Sequence, residues 1–249
     1  MIKNSFIFLD KIGHKREKQI WNEGINDWEE FKENKEIKSI SFLRKPFYDR
    51  QIERAENALK NENILYLKNI FPSSEQWRLY NTFREDAVFL DIETTGFYGN
   101  ITVIGLYDGE NTKTLVRGFN LDKDLLKNEL KNYKLILTFN GASFDLPVVK
   151  KYFGNIIPEI PHIDLRFVCS KIGLKGGLKV IEKILNIKRP EEIENIAGDD
   201  AVMLWEMYKA TGNRKYLDSL ILYNEQDIVN LKQIADYSTK ELWKKVKNQ

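Results

Sequence analysis

The chain has 249 residues, of which 42% are hydrophobic and 31% are charged, and this balance is typical of a folded globular protein, not a disordered one. Its 39 basic residues nearly cancel its 37 acidic ones, so the net charge of +2 indicates no class of partner. The apolar runs are of strand length, so we expect no membrane span. No secretion signal is recognisable and the single Cys169 excludes an intramolecular disulfide, so we expect a cytoplasmic protein.

The first 72 residues show helical periodicity and are predicted to form a small helical subdomain. Helices over 15–21 and 26–31 flank a break at Gly24, and Asn26 and Glu29 have the spacing of a capping box. The break leaves two interpretations open: a helical cap packed through its aromatic residues, or a helix-hairpin-helix-like element that binds DNA phosphates. Two more helices are predicted here, over 48–67 and, joining the next part of the chain, over 74–84.

From Ala87 onward the pattern changes from helices to strands. Strands are predicted over 87–93, 101–108 and 112–117, the last two joined by a hairpin turn. A helix over 123–132, a strand over 134–139, a helix from Asp145, a short strand over 162–165 and further helices follow. This order predicts an α/β fold: a mixed five-stranded sheet, its first three strands an antiparallel meander, flanked by helices. The domain is predicted over 73–237, and a C-terminal basic helix or tail over 238–249.

Three acidic stretches carry the candidate chemistry. Asp91 and Glu93 lie two residues apart in a strand and therefore share a face, where their mutual repulsion would be relieved by a divalent cation. Asp145 follows an apolar strand and a turn, and Tyr223 and Asp227 share a face of an amphipathic helix. Taken singly, each stretch also has a structural interpretation: a solvated strand edge for the pair, a helix N-cap for Asp145 and a core tyrosine for Tyr223.

Taken together and in this order, the stretches 91–93, 140–145 and 223–227 resemble the three exonuclease motifs of the DEDD superfamily. The second resembles the motif of B-family DNA polymerase proofreading domains, and the third that of the tyrosine subclass, because Leu222 stands where the histidine subclass has its His. The stretches 162–165 and 173–179 extend the similarity to the YprB-type ribonuclease H-like family. The resemblance implies a ribonuclease H-like fold and a 3′-to-5′ exonuclease acting on single-stranded ends of DNA or RNA.

The same resemblance implies a two-metal site. It assigns Asp91, Glu93, Asp145 and Asp227 to two divalent cations, Mg²⁺ or Mn²⁺, with Asp91 bridging the two. An all-oxygen ligand set suits magnesium better than zinc. Tyr223 is expected to orient the attacking water, because a phenol with a pKa of about 10 is a weak base at neutral pH.

Further residues are expected to contact the substrate. The lysine-rich stretch 171–189 contains a glycine pair that would let backbone approach a phosphate, although such a stretch is also typical of a solvated surface. Two other function classes remain open: a non-catalytic nucleic-acid-binding module of the same fold, disfavoured by the full acid set, and a ribonuclease H-like endonuclease, disfavoured by the third motif. The predicted substrate-binding residues are Thr94, Thr95, Gly96, Asn140, Lys175 and Lys179.

Overall fold

The computed structural model describes residues 1–248 except 97, 98, 195 and 197, and except the side chains of Glu194 and Asp199. A five-stranded sheet with the order β3-β2-β1-β4-β5 forms its centre. The first three strands pair antiparallel, whereas β4 is parallel to both β1 and β5, so the predicted mixed sheet with an antiparallel meander is confirmed. The strands are β1 (Ala87–Thr94), β2 (Ile101–Tyr107), β3 (Thr112–Val116), β4 (Leu135–Thr138) and β5 (His162–Asp164).

Helices cover both faces of this sheet, and the longest of them is the last. It has 35 residues and continues through 238–248, the region predicted as a separate C-terminal helix or tail; Gln249 lies outside the described residues. Within the described part of the chain, none of the helices combines the length and the apolar character that a membrane crossing requires. The helices are α1 (His14–Asn22), α2 (Trp28–Glu33), α3 (Lys45–Lys60), α4 (Ile64–Ile70), α5 (Tyr80–Phe83), α6 (Lys123–Leu130), α7 (Asp145–Phe153), α8 (Leu165–Lys171), α9 (Leu178–Ile184), α10 (Glu191–Glu194), α11 (Gly198–Thr211) and α12 (Arg214–Asn248).

The alternation of side chains along β1 decides which helices each residue meets. Val88, Leu90 and Ile92 belong to the core cluster that contains the apolar residues of α6 and α7. Ala87 and Phe89 belong to the cluster that contains the apolar residues of α12. Because side chains two residues apart in a strand share a face, the series that begins with Ala87 and Phe89 continues through 91 and 93 on the α12 side of the sheet.

The N-terminal helices share the hydrophobic core of the α12 face. Trp21 of α1 packs edge-on against Trp243 of α12, with ring centroids 5.9 Å apart. The fully buried Arg78 ties the same regions together, since it donates to both carboxylate oxygens of Glu17 at 2.7 and 3.0 Å and to Glu75 at 2.8 Å. Region 1–72 is therefore packed on the sheet domain through apolar and ionic contacts, and the boundary at 72/73 stays a prediction.

Two sequence predictions in the N-terminal region are wrong in detail. The capping box lies one residue later than predicted: Asp27 caps α2 by accepting from the Glu30 amide at 2.9 Å, and Glu30 accepts from the Asn26 amide at 2.6 Å. The helix predicted over 48–67 is two helices, α3 and α4. It is broken at Glu62, whose φ is +52°, and Asn63 then caps α4.

The predicted joining helix over 74–84 is also wrong in type. Residues Ser73–Leu79 form a 3₁₀ helix, which is followed by the short α5 and a second 3₁₀ turn at Arg84–Asp86. Five consecutive residues, 75–79, are buried. An amphipathic α-helix would expose one side of such a run, so the contacts of this segment with both neighbouring regions outweigh the local helical pattern.

Candidate metal centre

Three of the four predicted metal-ligating acids converge in space. Asp91, Glu93 and Asp227 each offer a carboxylate oxygen, and these oxygens lie within 4.8 Å of one another. The first two come from the α12 face of β1, and Asp227 comes from α12 itself. Asp227 is buried, whereas Asp91 and Glu93 remain partly accessible. The cluster is therefore compact, and two of its three carboxylates remain partly accessible.

A glycine in β2 lets α12 approach the sheet closely enough to form this cluster. Gly105 is the cross-strand partner of Asp91, and a Cβ atom added to it would lie 2.2 Å from Oδ1 of Asn224. The fully buried Asn224 uses its Nδ2 to donate to Asp91 Oδ2 at 2.8 Å. Sequence reasoning missed Asn224; its position between Tyr223 and Asp227 on an inward-facing helix was the available signal.

Asp145 lies beside the cluster but outside the compact group of three. It is the first residue of α7, and the N-cap position is Phe144, so the N-cap interpretation of Asp145 is wrong. Its buried carboxylate accepts a hydrogen bond from the Ile92 amide at 3.1 Å, beyond the last residue of β1 that pairs with β4. Asp145 is thus anchored to β1 between Asp91 and Glu93 in sequence, and its charge contributes to raising the pKa of Asp91.

Desolvation and mutual repulsion raise the pKa of all four carboxyl groups. The protein displaces most of the water around Asp91 and Glu93, which raises the pKa of each well above its ordinary value, and the neighbouring acids raise it further. Burial raises the pKa of Asp145 to about 7 and that of Asp227 to about 6. Closely spaced carboxylates of this kind offer only oxygen ligands, and they fit a hard divalent cation whose charge would relieve their repulsion.

Arg189 supplies a positive charge at the edge of the cluster. Its Nη2 donates to Asp227 and, at 2.7 Å, to Glu182, whose second carboxylate oxygen accepts from Nε at 2.8 Å. Its Nη1 is buried and has no hydrogen-bond partner among the described residues. Arg189 belongs to the basic stretch predicted to contact phosphate, but its side chain points inward and holds Asp227.

Tyr223 is enclosed by cations on the same side of the sheet. The Nζ of Lys179 lies 5.0 Å from the centroid of its ring, and the guanidinium carbon of Arg189 lies 5.4 Å from it. Burial, followed by the charges of Asp227 and Glu93, raises the pKa of Tyr223 above its ordinary value. The phenol therefore stays protonated at neutral pH and keeps a hydroxyl that can donate a hydrogen bond. The other predicted lysine, Lys175, is exposed.

The predicted substrate-binding residues after β1 form a tight turn. The Thr94 hydroxyl donates to the Gly96 carbonyl at 2.8 Å, and the Thr95 hydroxyl accepts from the Asn100 amide at 3.0 Å. Gly96 has a φ of +114°, which is readily adopted only by glycine. These contacts fix the backbone next to Glu93, and their contact with a substrate stays a prediction.

Asn140 has a comparable structural role in the loop before Asp145. Its φ is +68°, its amide donates to Asp164 at 2.8 Å, and its Oδ1 accepts from Arg166 at 2.6 Å and from Ser143 at 2.9 Å. The side chain is therefore engaged within the loop that leads into α7. Its contact with a substrate likewise stays a prediction.

Comparisons with known proteins place the chain in a superfamily. The crystal structure of RNase D from Escherichia coli, described as an exoribonuclease involved in structured RNA processing, aligns with 20% identity over 69% of this chain, with a TM-score of 0.41. The alignment spans 43% of that enzyme's chain, less than half of its length. No curated protein sequence gives a significant match. The sequence profile of the RNase_H superfamily matches residues 88–239, which is more than half of the chain and includes all three acidic stretches. The chain therefore belongs to the RNase_H superfamily.

Proposed function

We propose that this chain is a metal-dependent 3′-to-5′ exonuclease that hydrolyses phosphodiester bonds at single-stranded ends of DNA or RNA. The proposal includes membership of the DEDD superfamily, in its tyrosine subclass and of YprB type. The convergence of Asp91, Glu93 and Asp227 within 4.8 Å carries it. Tyr223 supports it, because it lies one helical turn before Asp227 on α12 and borders the same cluster.

The four acids are the proposed metal ligands. Asp91, Glu93 and Asp227 would hold the ions directly, and Asp145, anchored by the Ile92 amide, would complete the set from the side of α7. Two magnesium or manganese ions bound there would lower the pKa of a water and neutralise charge on the leaving oxygen. The carboxylates present fit this task, because they are closely spaced, poorly solvated and all oxygen donors.

The remaining side chains orient these groups. Asn224 donates to Asp91 Oδ2 at 2.8 Å and so holds that carboxylate in one orientation. Tyr223 stays protonated, which suits it to position a water by hydrogen bonding and not to remove a proton from it. Arg189 forms an ion pair with Asp227 and balances part of the negative charge.

A non-catalytic binding module is a weaker explanation of these features. Concentrating four carboxyl groups with raised pKa values in one place opposes folding, since each must be desolvated and repels the others. A module that only binds phosphates gains nothing from such a cluster, whereas a metal-dependent nuclease uses it. A ribonuclease H-like endonuclease would use a similar cluster, and a substrate without ends separates the two activities.

The test uses single-stranded DNA and RNA labelled at either end, incubated with Mn²⁺ or Mg²⁺. We expect release of the 3′ label first, shortened 5′-labelled products, and a loss of rate of about 100-fold or more in Asp91→Ala. The matched control is Asp124→Ala, at an exposed acid in α6, which should keep full activity. Cleavage of closed single-stranded circles, or no metal-dependent cleavage of any linear strand, would contradict the proposal.

A further inference from the structure

Two adjoining grooves lie on the side of the molecule where the N-terminal helices meet α8 and α12. The first has a volume of about 480 Å³ and is lined by α1, α12 and the 3₁₀ segment that contains Trp77. The second has a volume of about 350 Å³ and is lined by α8, β5 and the loop at Ala142. Trp77 and Lys171 line both grooves, so the two adjoin at these residues. We call them together the basic groove.

The lining of the basic groove contains four lysines and three acids, and part of its positive charge is unpaired. Its two acids in the first part, Glu17 and Glu75, are both held by the buried Arg78. Lys171 lies 3.4 Å from Glu75, as does the imidazole of His14, and Lys245 donates to the Lys171 carbonyl at 2.7 Å. Lys15 and Lys18, on consecutive turns of α1, form no hydrogen bond or ion pair within the described ranges of the chain. These two ammonium groups are free to meet an anionic ligand.

The groove also offers an exposed aromatic ring. Phe167 of α8 is 57% exposed and precedes Lys171 by four residues, so the ring and the ammonium group share one helix face. An exposed ring beside lysines is the combination that single-stranded nucleic acids use, because bases stack on the ring while phosphates meet the cations.

One end of the groove lies close to the candidate metal centre. Ala142, which lines the second part, belongs to the loop that leads into Asp145. The carboxylate of Asp164, which lines the groove as well, accepts from the amides of Asn140 and Ala142 at 2.8 and 3.1 Å. The loop that delivers Asp145 therefore also forms a wall of the groove.

We propose that the basic groove binds the single-stranded part of a nucleic acid whose end lies at the metal centre. Bases would stack on Phe167, and phosphates would be held by Lys15 and Lys18. The inference rests on the proposed function for the position of the strand's end, and it assigns the N-terminal helices a share in substrate binding.

The test measures the binding of fluorescent single strands of about 4 and about 16 nucleotides to the full-length Asp91→Ala protein, with EDTA present to prevent metal-dependent cleavage. We expect the double variant Lys15→Ala/Lys18→Ala to bind the longer strand about tenfold more weakly and to lower the slope of log K against log salt by about 1.4, at about 0.7 for each phosphate contact. Phe167→Ala should weaken binding by about tenfold without changing that slope. The shorter strand should bind all variants alike.

The control is Lys123→Ala/Lys127→Ala on α6, which packs on the opposite face of the sheet. Thermal unfolding must first show that all variants are folded. The proposal would then be overturned if the control lost as much affinity as the groove variants, if the groove variants lost equal affinity for both strand lengths, or if they lost none. Displacement of the strand by a poly-glutamate peptide at equal charge concentration would also overturn it in favour of an acidic protein partner. If the native chain cleaves no strand while binding still depends on the groove residues, the proposed nuclease is contradicted and the proposed binding groove is supported.

Discussion

Replacing Asp145 by Asn removes one buried charge from the metal centre and keeps an oxygen that can accept the hydrogen bond from the Ile92 amide. Burial raises the pKa of this carboxyl from 3.8 to about 7. Between those values the folded chain holds a proton that the unfolded chain has lost, so the free energy of unfolding falls as the pH rises. The cost is absent below pH 3.8 and is fully present above about pH 7.

The size of the effect follows from that difference. A rise of about three pH units at about 1.4 kcal/mol each gives an upper limit of about 4 kcal/mol above pH 7. We therefore expect metal-free Asp145→Asn to unfold with a free energy about 2 to 4 kcal/mol higher than the native chain at pH 8, and about 1 to 2 kcal/mol higher at pH 5. The loss of a proposed metal ligand should also reduce the proposed nuclease activity.

The assay is urea unfolding followed by tryptophan fluorescence, with EDTA present, at the two pH values. Adding Mg²⁺ at pH 8 should stabilise the native chain more than the variant, because the variant lacks one carboxylate to share the ion's charge. Asp124→Asn at the exposed position in α6 serves as the control and should change neither value. Equal stability of Asp145→Asn and the native chain at pH 8, or a loss of stability at both pH values, would refute the idea that this carboxylate opposes folding.

Two other substitutions test the packing that builds the centre. Gly105→Ala would place a Cβ atom 2.2 Å from Asn224 Oδ1. We expect a loss of about 1 to 3 kcal/mol in stability and at least a tenfold loss of the proposed nuclease activity. Gly13→Ala, with nothing within 4 Å of its Cβ, replaces the N-cap residue of α1 and should cost less than about 1 kcal/mol and leave activity unchanged. Arg78→Met would leave two buried carboxylates without their counter-charge and should lower the free energy of urea unfolding by about 3 to 5 kcal/mol. A loss of the same size in Arg84→Met, at an exposed arginine, would contradict the importance of burial.

The order of the strands and helices could be predicted from the sequence because it depends on local periodicity. Periodicity also placed Asp91 and Glu93 on one strand face, and Tyr223 and Asp227 on one helix face. That these stretches meet at a common site was expected only from their resemblance, in order, to the motifs of the DEDD superfamily. The substrate-binding assignments depend on a ligand, and they stay predictions.

Contacts between distant residues could not be predicted in the same way. The space that Gly105 leaves for Asn224 depends on where α12 crosses the sheet. Local sequence patterns do not predict that crossing position. Arg189 ends a basic stretch typical of a solvated surface, and only the structure shows that it turns inward to Asp227. Arg78 and Glu17 are 61 residues apart, so no pattern within either segment predicts the ion pair that connects them.

The central claim is that the four acids form a site for two hard cations. Crystals grown with MnCl₂ and measured at the manganese absorption edge test it directly. The account predicts two anomalous peaks about 3.5 to 4 Å apart, each bound by carboxylate oxygens of Asp91, Glu93, Asp145 or Asp227. Well-ordered density for the four side chains without a manganese peak between them, and with Asp227 still paired to Arg189, would contradict it.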